Sequence, residues 1–320
     1  MEMKAEADHQ HEQAWKRAGL DPNTYATLAE RLPGYALWSL LLEVLGRRAA
    51  QRTPSELLQQ WERDIFTAPS TIDQRTLHAL DGHLLAAAAA FEAIELSPLA
   101  PLGVCSVIGL GSQNRIVSAL RGTEVVADPT NVLALECARR MRRDPMQVVR
   151  LATCHRCVRA QPFPKTPGFT QHFRLFCLVT GGREQKNQAF VTDTLIEHIA
   201  THFAVLDRLE QHGYHFPNRR LRLLATEPRA ALADRVAAAT ARPDVEIERG
   251  ILERPYYDGL RFTISARGFD GEDKPFTDGG VFTWLADLTS NRKMVLVCSA
   301  IGSQQVAAVF NVNAASPDRR

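Results

Sequence analysis

The sequence lacks any long hydrophobic run. Its most apolar stretch, LLAAAAAFEAI, is bounded by His83 and Glu95. It falls short of the roughly 20 apolar residues that a membrane helix needs. A secretory pattern is missing too: the opening MEMKAEADHQHEQAWKR is polar, so a soluble cytoplasmic protein without a membrane partner is expected. Charge of one sign is nearly absent, since 38 Lys and Arg against 36 Asp and Glu leave +2. That balance is too small to argue for nucleic acid. The one basic run, RRMRRDPMQVVR at Arg139–Arg150, reads as a solvated helix end ahead of a phosphate patch. Cysteines number six, and CHRC at 154–157 has no second CxxC to complete a zinc site. On a strand, Cys154 and Cys157 face opposite sides and cannot hold one ion together. Reduced thiols and no metal site are the expectation. Internal repeats and low-complexity tracts are also absent.

What remains is a chain of 320 residues, 45% hydrophobic and 23% charged, enough to bury a full core. Residues 1–70 read as helices with polar breaks, an N-terminal helical extension. Thr53-Pro54 supplies a cap and first turn there. Residues 71–312 form the expected core, and 313–320 a loose tail. A helix from about Thr71 runs through LLAAAAAFEAI toward Pro98. A strand is expected at Gly103–Ile108, and a helix at DPTNVLALECARRMRR. VVRLATCHRCVRAQ and FTQHFRLFCLVT read as two strands around a Pro-rich loop, an antiparallel hairpin. FVTDTLIEHIATHFAVLDRLEQHG is an amphipathic helix ending at Gly213. Strand, helix and strand follow in RRLRLLAT, PRAALADRVAAAT and DVEIERG. The order of elements is α+β, an antiparallel sheet of about six strands flanked by helices.

The segment RPYYDGLRFTISARGFDGEDKPFTDGGVFTWLADL holds two adjacent tyrosines, a polar turn, and Asp-Gly-Gly before a new apolar stretch. It reads as a pocket built on a sheet, with Gly279 and Gly280 allowing close approach to the backbone. Four segments stand in one order: a helix and strand ending in proline (AAFEAIELSPLAP), a strand–loop–strand holding Arg159, the tyrosine-pair hairpin, and a strand entering a helix through CSAIGSQQ. This order resembles the catalytic core of class II aminoacyl-tRNA synthetases, in the histidyl branch that includes the regulatory subunit of ATP phosphoribosyltransferase. The resemblance covers about residues 71–310.

The resemblance implies an amino-acid pocket of Asp128, Thr130, Tyr256, Tyr257, Gly279 and Gly280. It implies a nucleotide-binding remnant of Arg159, on the α-phosphate of ATP, with Gln161 in place of a carboxylate and Phe173 as the adenine platform. Arginine suits phosphate because its fork is planar and always charged. Several family positions are altered. Val126 and Leu252 stand where arginines are expected, with Arg254 two residues from the second. Val281 and Thr283 replace an arginine and an aspartate, and Gln304-Gln305 replaces the Glu-Arg of the third motif. Neutral amides cannot stabilise a polyphosphate in this way.

No catalytic residue is therefore assigned, and ATP is the one cofactor the resemblance offers. The leading expectation is a non-catalytic protein that binds an amino acid such as histidine and regulates a partner enzyme such as a phosphoribosyltransferase. The runner-up is an enzyme activating an amino or carboxylic acid with ATP. The third is a dimeric scaffold with a vestigial pocket. Little chain follows residue 310, and tRNA is not an expected partner. A two-fold homodimer through 74–98 is expected from the alanine-rich helix there.

Overall fold

The computed structural model describes residues 15–109, 111–161, 163, 169–253 and 256–312. Arg254, most of the Pro-rich loop and the tail 313–320 lie outside them. The chain divides into two compact units. The smaller comprises Met1–Pro69, Leu99–Ala127 and Val158–Gln161, so the N-terminal helices share a unit with two later segments. The larger comprises the rest.

In the smaller unit, helices span Gly34–Ala50 and Pro54–Arg63. Thr53 and Glu56 cap the second reciprocally, each side chain bonded to the other's backbone amide. Three short antiparallel strands follow in the order Leu99–Pro101, Thr123–Val125, Ser118–Ala119. The strand expected at Gly103–Ile108 is instead a helical turn, Val104–Ile108. Its cause lies in the facing strand. The buried Glu124 carboxylate accepts from the amides of Gly103 (2.8 Å) and Cys105 (2.9 Å) and from Gln113 Nε2 (3.0 Å). Amides pointing at one carboxylate are not free for a ladder, and Gly103 supplies the left-handed φ of 96° that starts the turn.

The larger unit is built on one eight-stranded sheet. Its strands are β1 (Glu92–Ala93), β2 (Val149–Val158), β3 (His172–Arg183), β4 (Arg219–Ala225), β5 (Val245–Ile251), β6 (Leu260–Arg267), β7 (Asp273–Phe282) and β8 (Met294–Ile301). They lie in the order β1-β2-β3-β8-β7-β6-β4-β5. Pairing is antiparallel from β3 through β8, β7 and β6 to β4. Each edge adds a parallel pair, β1 with β2 and β4 with β5. The β4–β5 pair follows from its helical crossover, since parallel strands cannot be joined by a tight turn.

Helices α1 (Gln74–Ala87), α3 (Ala189–Glu210), α4 (Ala230–Ala239) and α6 (Ser303–Val309) supply the main core with the facing strand residues. On α3, Val191, Leu195, Ile199 and Leu206 are fully buried at helical spacing. Each such side chain contributes about 1.5–3 kcal/mol. The first helix ends at Ala87, short of the expected run, because the chain turns at Ala88 to bury Phe91. Helices α2 (Pro129–Met141) and α5 (Trp284–Thr289) serve the other face. A Cβ at Gly181 would meet Leu285 at 3.0 Å and Cys137 at 3.4 Å. That glycine lets both helices settle on β3. The structure is thus α+β, with a mostly antiparallel sheet flanked by helices.

Candidate functional site

Tyr256 and Tyr257 precede β6, at the end of the β6–β7 hairpin away from its polar turn. Asp258 donates to Val281 O and Gly259 takes a φ of 76°, which swings the pair over the start of the strand. Tyr257 donates to Asp278 Oδ1 at 2.7 Å. Arg261 grips the same carboxylate with Nε and Nη2, both at 2.9 Å. Burial first, then the Asp278 charge, pushes the Tyr257 phenol well above its ordinary value, so it stays a neutral donor. The hydrogen bonds to Asp278 raise Arg261 in turn. Tyr256 is 40% exposed and stands edge-on to Tyr257 (5.0 Å) and Phe282 (5.4 Å).

The two glycines have different tasks. A Cβ at Gly280 would lie 2.4 Å from Leu260 O and 2.5 Å from the Tyr257 ring. A Cβ at Gly279 would meet Ser299 at 2.6 Å and Phe262 at 2.7 Å on the opposite face. What the glycines admit is the protein's own side chains. Gly280 makes room for Tyr257, and Gly279 for the core.

Register extends the Tyr257 face across the sheet. Gly280 pairs with Cys298 and Asp278 with Ala300, and these pair in turn with Val179 and Cys177. The floor beside Tyr257 therefore consists of small and medium side chains. Asp128 approaches this floor from the start of α2. Burial first, and the Asp128 charge second, pushes the Cys177 thiol up, and Asp128 also adds to the rise at Cys298. Asp128 is the cap of α2, accepting from Thr130 N (3.0 Å) and Thr130 Oγ1 (2.7 Å). Asp128 and Thr130 are thereby brought to the same face of the sheet as Gly280 and Tyr257, while Gly279 is turned away.

Of the nucleotide-binding remnant, Phe173 is half-buried on β3 with its ring edge-on to Phe163 at 5.8 Å. Arg159 and Gln161 belong to the smaller unit, where Arg159 Nε donates to Ala127 O at 2.9 Å. Gln304 and Gln305 are 2% and 9% exposed. Gln304 donates to Thr170 Oγ1 (3.0 Å), and Gln305 to Pro275 O (3.2 Å). Arg156 donates to Gln304 Oε1 (3.4 Å) and to His172 Nδ1 (2.8 Å), which places the His172 proton on Nε2. Leu252 is buried, 8% exposed. Cys154 and Cys157 are buried on β2, where burial raises Cys154 far above the ordinary thiol range.

Sequence reasoning passed over three sets of residues. Asp278 and Arg261 alternate correctly with the tyrosine pair but carried no family signal. Arg156 sits between the two cysteines of the CHRC motif and was not weighed. His198 and His202, four apart on α3, share a helix face. Ser299 lies between them, 2.8 Å from His198 Nδ1 and 2.7 Å from His202 Nε2, and Thr180 is 2.9 Å from His198 Nε2. All four are essentially buried. His202 Nδ1 has no partner, so the proton sits on Nε2 and donates to Ser299. Ser299 then donates to His198 Nδ1, and His198 to Thr180. Burial holds His198 well below the ordinary histidine value and brings His202 down to about 3. This neutral chain lies on the Gly279 face, away from the tyrosines. Elsewhere, a shallow depression of about 770 Å³ is lined by Arg183, Glu184, Gln185, Lys186, Arg292 and Lys293. Its Lys293, just before β8, stands five residues from Cys298, roughly 17 Å from the floor described above.

No protein-family model and no curated protein sequence matches the chain. Solved structures do. The chain is similar to an ATP phosphoribosyltransferase regulatory subunit/histidyl-tRNA synthetase from Bacillus halodurans, with 12% identity, a TM-score of 0.56, and coverage of 76% of this chain and 81% of that one. It is similar to histidyl-tRNA synthetase from Nostoc, at 14% identity and a TM-score of 0.53, over 76% of this chain and 73% of that one. Apo S. aureus histidyl-tRNA synthetase matches at 12% and 0.53, over 72% of this chain but 64% of its own length. The fold is that of class II synthetases.

Proposed function

We propose that this chain is an amino-acid-binding regulatory protein on a class II synthetase-like scaffold, one that does not form adenylates. One observation carries the reading: Tyr257, Asp278 and Arg261 are preassembled beside a floor of small residues that Asp128 also approaches. The Asp278 carboxylate accepts from both Tyr257 and Arg261 and keeps acceptor capacity for a further cationic group, the ammonium that every amino acid carries or an imidazolium besides. The Asp278 side chain is 46% exposed, so its carboxylate is open to a further donor.

The buried amides of Gln304 and Gln305 support the non-adenylating half of the reading. Both are spent on internal partners, and neither offers a charge to a triphosphate. The structural neighbours make histidine the first ligand to test and a phosphoribosyltransferase the first partner enzyme. Regulation of that enzyme requires a difference in affinity between its free and ligand-bound states.

The experiment is calorimetric titration with each of the amino acids, run beside amino-acid-dependent pyrophosphate exchange. Binding without exchange is the expected outcome. Exchange with any amino acid would establish the second reading, an ATP-dependent acid-activating enzyme, for which Arg159 and Phe173 speak. Failure of every amino acid to bind would leave a scaffold with a vestigial pocket.

A further inference from the structure

The larger unit pairs most of its described arginines. Arg139, Arg140, Arg150, Arg219, Arg220 and Arg242, among others, each hold a carboxylate. The depression at the end of β3 and the start of β8 departs from this pattern. Four of its six lining residues, Arg183, Lys186, Arg292 and Lys293, are exposed cations, and none of them has an ion pair among the described residues. The one carboxylate in the lining, Glu184, accepts from the amides of Gln185 (2.9 Å) and Val191 (3.4 Å). Four cations against that single carboxylate leave the lining at +3. The next carboxylates along the chain, Asp193 and Asp287, lie on α3 and α5 and do not line it.

The backbone holds these charges together. Arg183 closes β3 opposite Met294 on β8, and the Glu184 amide donates to Lys293 O at 2.8 Å. Two turns therefore stand side by side, 183–188 ahead of α3 and 290–293 ahead of β8. Both bend through left-handed residues that are not glycine. Asn187, Gln188 and Ser290 take φ of 58°, 57° and 52°, three of the five such residues among those described. That conformation is costly for a residue with a Cβ, and functional sites are where such strain collects. Like charges brought to neighbouring positions repel as well.

We propose that the depression is a binding site for an anion carrying two or more phosphate groups, separate from the amino-acid face. A phosphate monoester carries about 1.5–2 negative charges, so two such groups are needed to offset +3. Arginine forks take phosphate oxygens in pairs, and lysines add point charges. At about 770 Å³ the depression has the room of a small-molecule cleft. Its distance from the Cys298 floor means that occupancy here does not require the amino acid.

The test is calorimetric titration of the full chain with inorganic pyrophosphate, in a metal-free buffer of low ionic strength. One anion per chain should bind, with inorganic phosphate at least about tenfold weaker. Affinity should fall as salt is raised. Arg183→Gln with Arg292→Gln should lower it at least about 30-fold. Arg235→Gln, at an exposed arginine on α4, should leave it unchanged. Relief of repulsion should keep the melting temperature of the double variant at or above the parent's, and pyrophosphate should raise that of the parent alone. Should the arginine pair misfold, Lys186→Gln with Lys293→Gln decides, with an expected loss of about tenfold. Failure of pyrophosphate to bind, or undiminished binding by a folded double variant, would overturn the proposal. So would loss of binding in Arg159→Gln, which would put the anion on the nucleotide-binding remnant. Tighter binding of a single-stranded oligonucleotide, lost in the same double variant, would overturn it too and make the depression a nucleic-acid surface.

Discussion

Tyr257 donates a hydrogen bond to Asp278 across a position that only glycine can hold, because Gly280 leaves no atom where the tyrosine ring lies. The hydroxyl, the carboxylate and the Arg261 fork form one hydrogen-bonded unit.

Gly280→Ala should therefore disable the site. The added methyl would press on Leu260 O, a backbone atom that cannot move aside, and on the Tyr257 ring. Overpacking of this kind costs about 1–3 kcal/mol. Thermal melts should show a fall of several degrees, with amino-acid binding lost in calorimetry. Gly279→Ala should destabilise comparably through Ser299 and Phe262. Where it still folds, its Tyr257 face should keep binding.

Tyr257→Phe keeps the ring and removes the hydrogen bond to Asp278. Asp278→Asn removes the charge that Arg261 holds. A hydrogen bond to a charged group is worth about 1.5–3 kcal/mol. Titration should accordingly find amino-acid affinity reduced about tenfold or more in each variant. If Asp278 meets the ligand ammonium, Asp278→Asn should be the more severe. Equal affinity in both variants and the parent would remove this face as the binding site.

Gln305→Arg, which restores a family-like arginine by sequence, should not restore nucleotide binding. Gln305 is buried and bonded to Pro275 O. A guanidinium introduced there would lack a carboxylate, and an uncompensated buried charge is strongly destabilising. The melting temperature should drop, with no ATP-dependent gain in stability in a thermal-shift assay.

The buried histidines set an acid limit on stability. The folded His202 titrates at about 3 against an ordinary value of 6.5, and His198 is displaced in the same direction. Between those values the unfolded chain takes up protons that the folded chain refuses. Their contribution is intact above about pH 6.5 and is lost as pH falls toward 3. Two such groups give a slope approaching about 2.7 kcal/mol per pH unit. Urea titrations across pH 7 to 4 should show it. Replacing His202 and Ser299 together, by Leu and Ala, should flatten the dependence toward one proton.

Local pattern made much of the larger unit legible. The helix Ala189–Glu210 and the strands Arg219–Ala225, Val245–Ile251 and Met294–Ile301 lie close to where periodicity placed them, and the order of segments pointed to the synthetase-like fold. The candidate site was only partly readable. Asp128, Thr130, Tyr257 and Gly280 were named and share a face of the sheet. Asp278 and Arg261 were not named, though they hold Tyr257 in place.

The strand expected at Gly103–Ile108 failed for a reason that local propensity does not contain. Its amides are claimed by Glu124, about twenty residues on. The same holds for His198 and His202, whose meaning depends on Ser299 reaching them from another strand. By itself, the sequence determined where helices and strands begin and alternate, because hydrophobic period, caps and turn residues act within a few positions of the chain. Only the tertiary structure decided which face each side chain serves: Gly279 toward the core and Gly280 toward Tyr257, with Gln304 and Gln305 turned inward. Register and covering helices settle that choice, and a one-residue slip in pairing would reverse it.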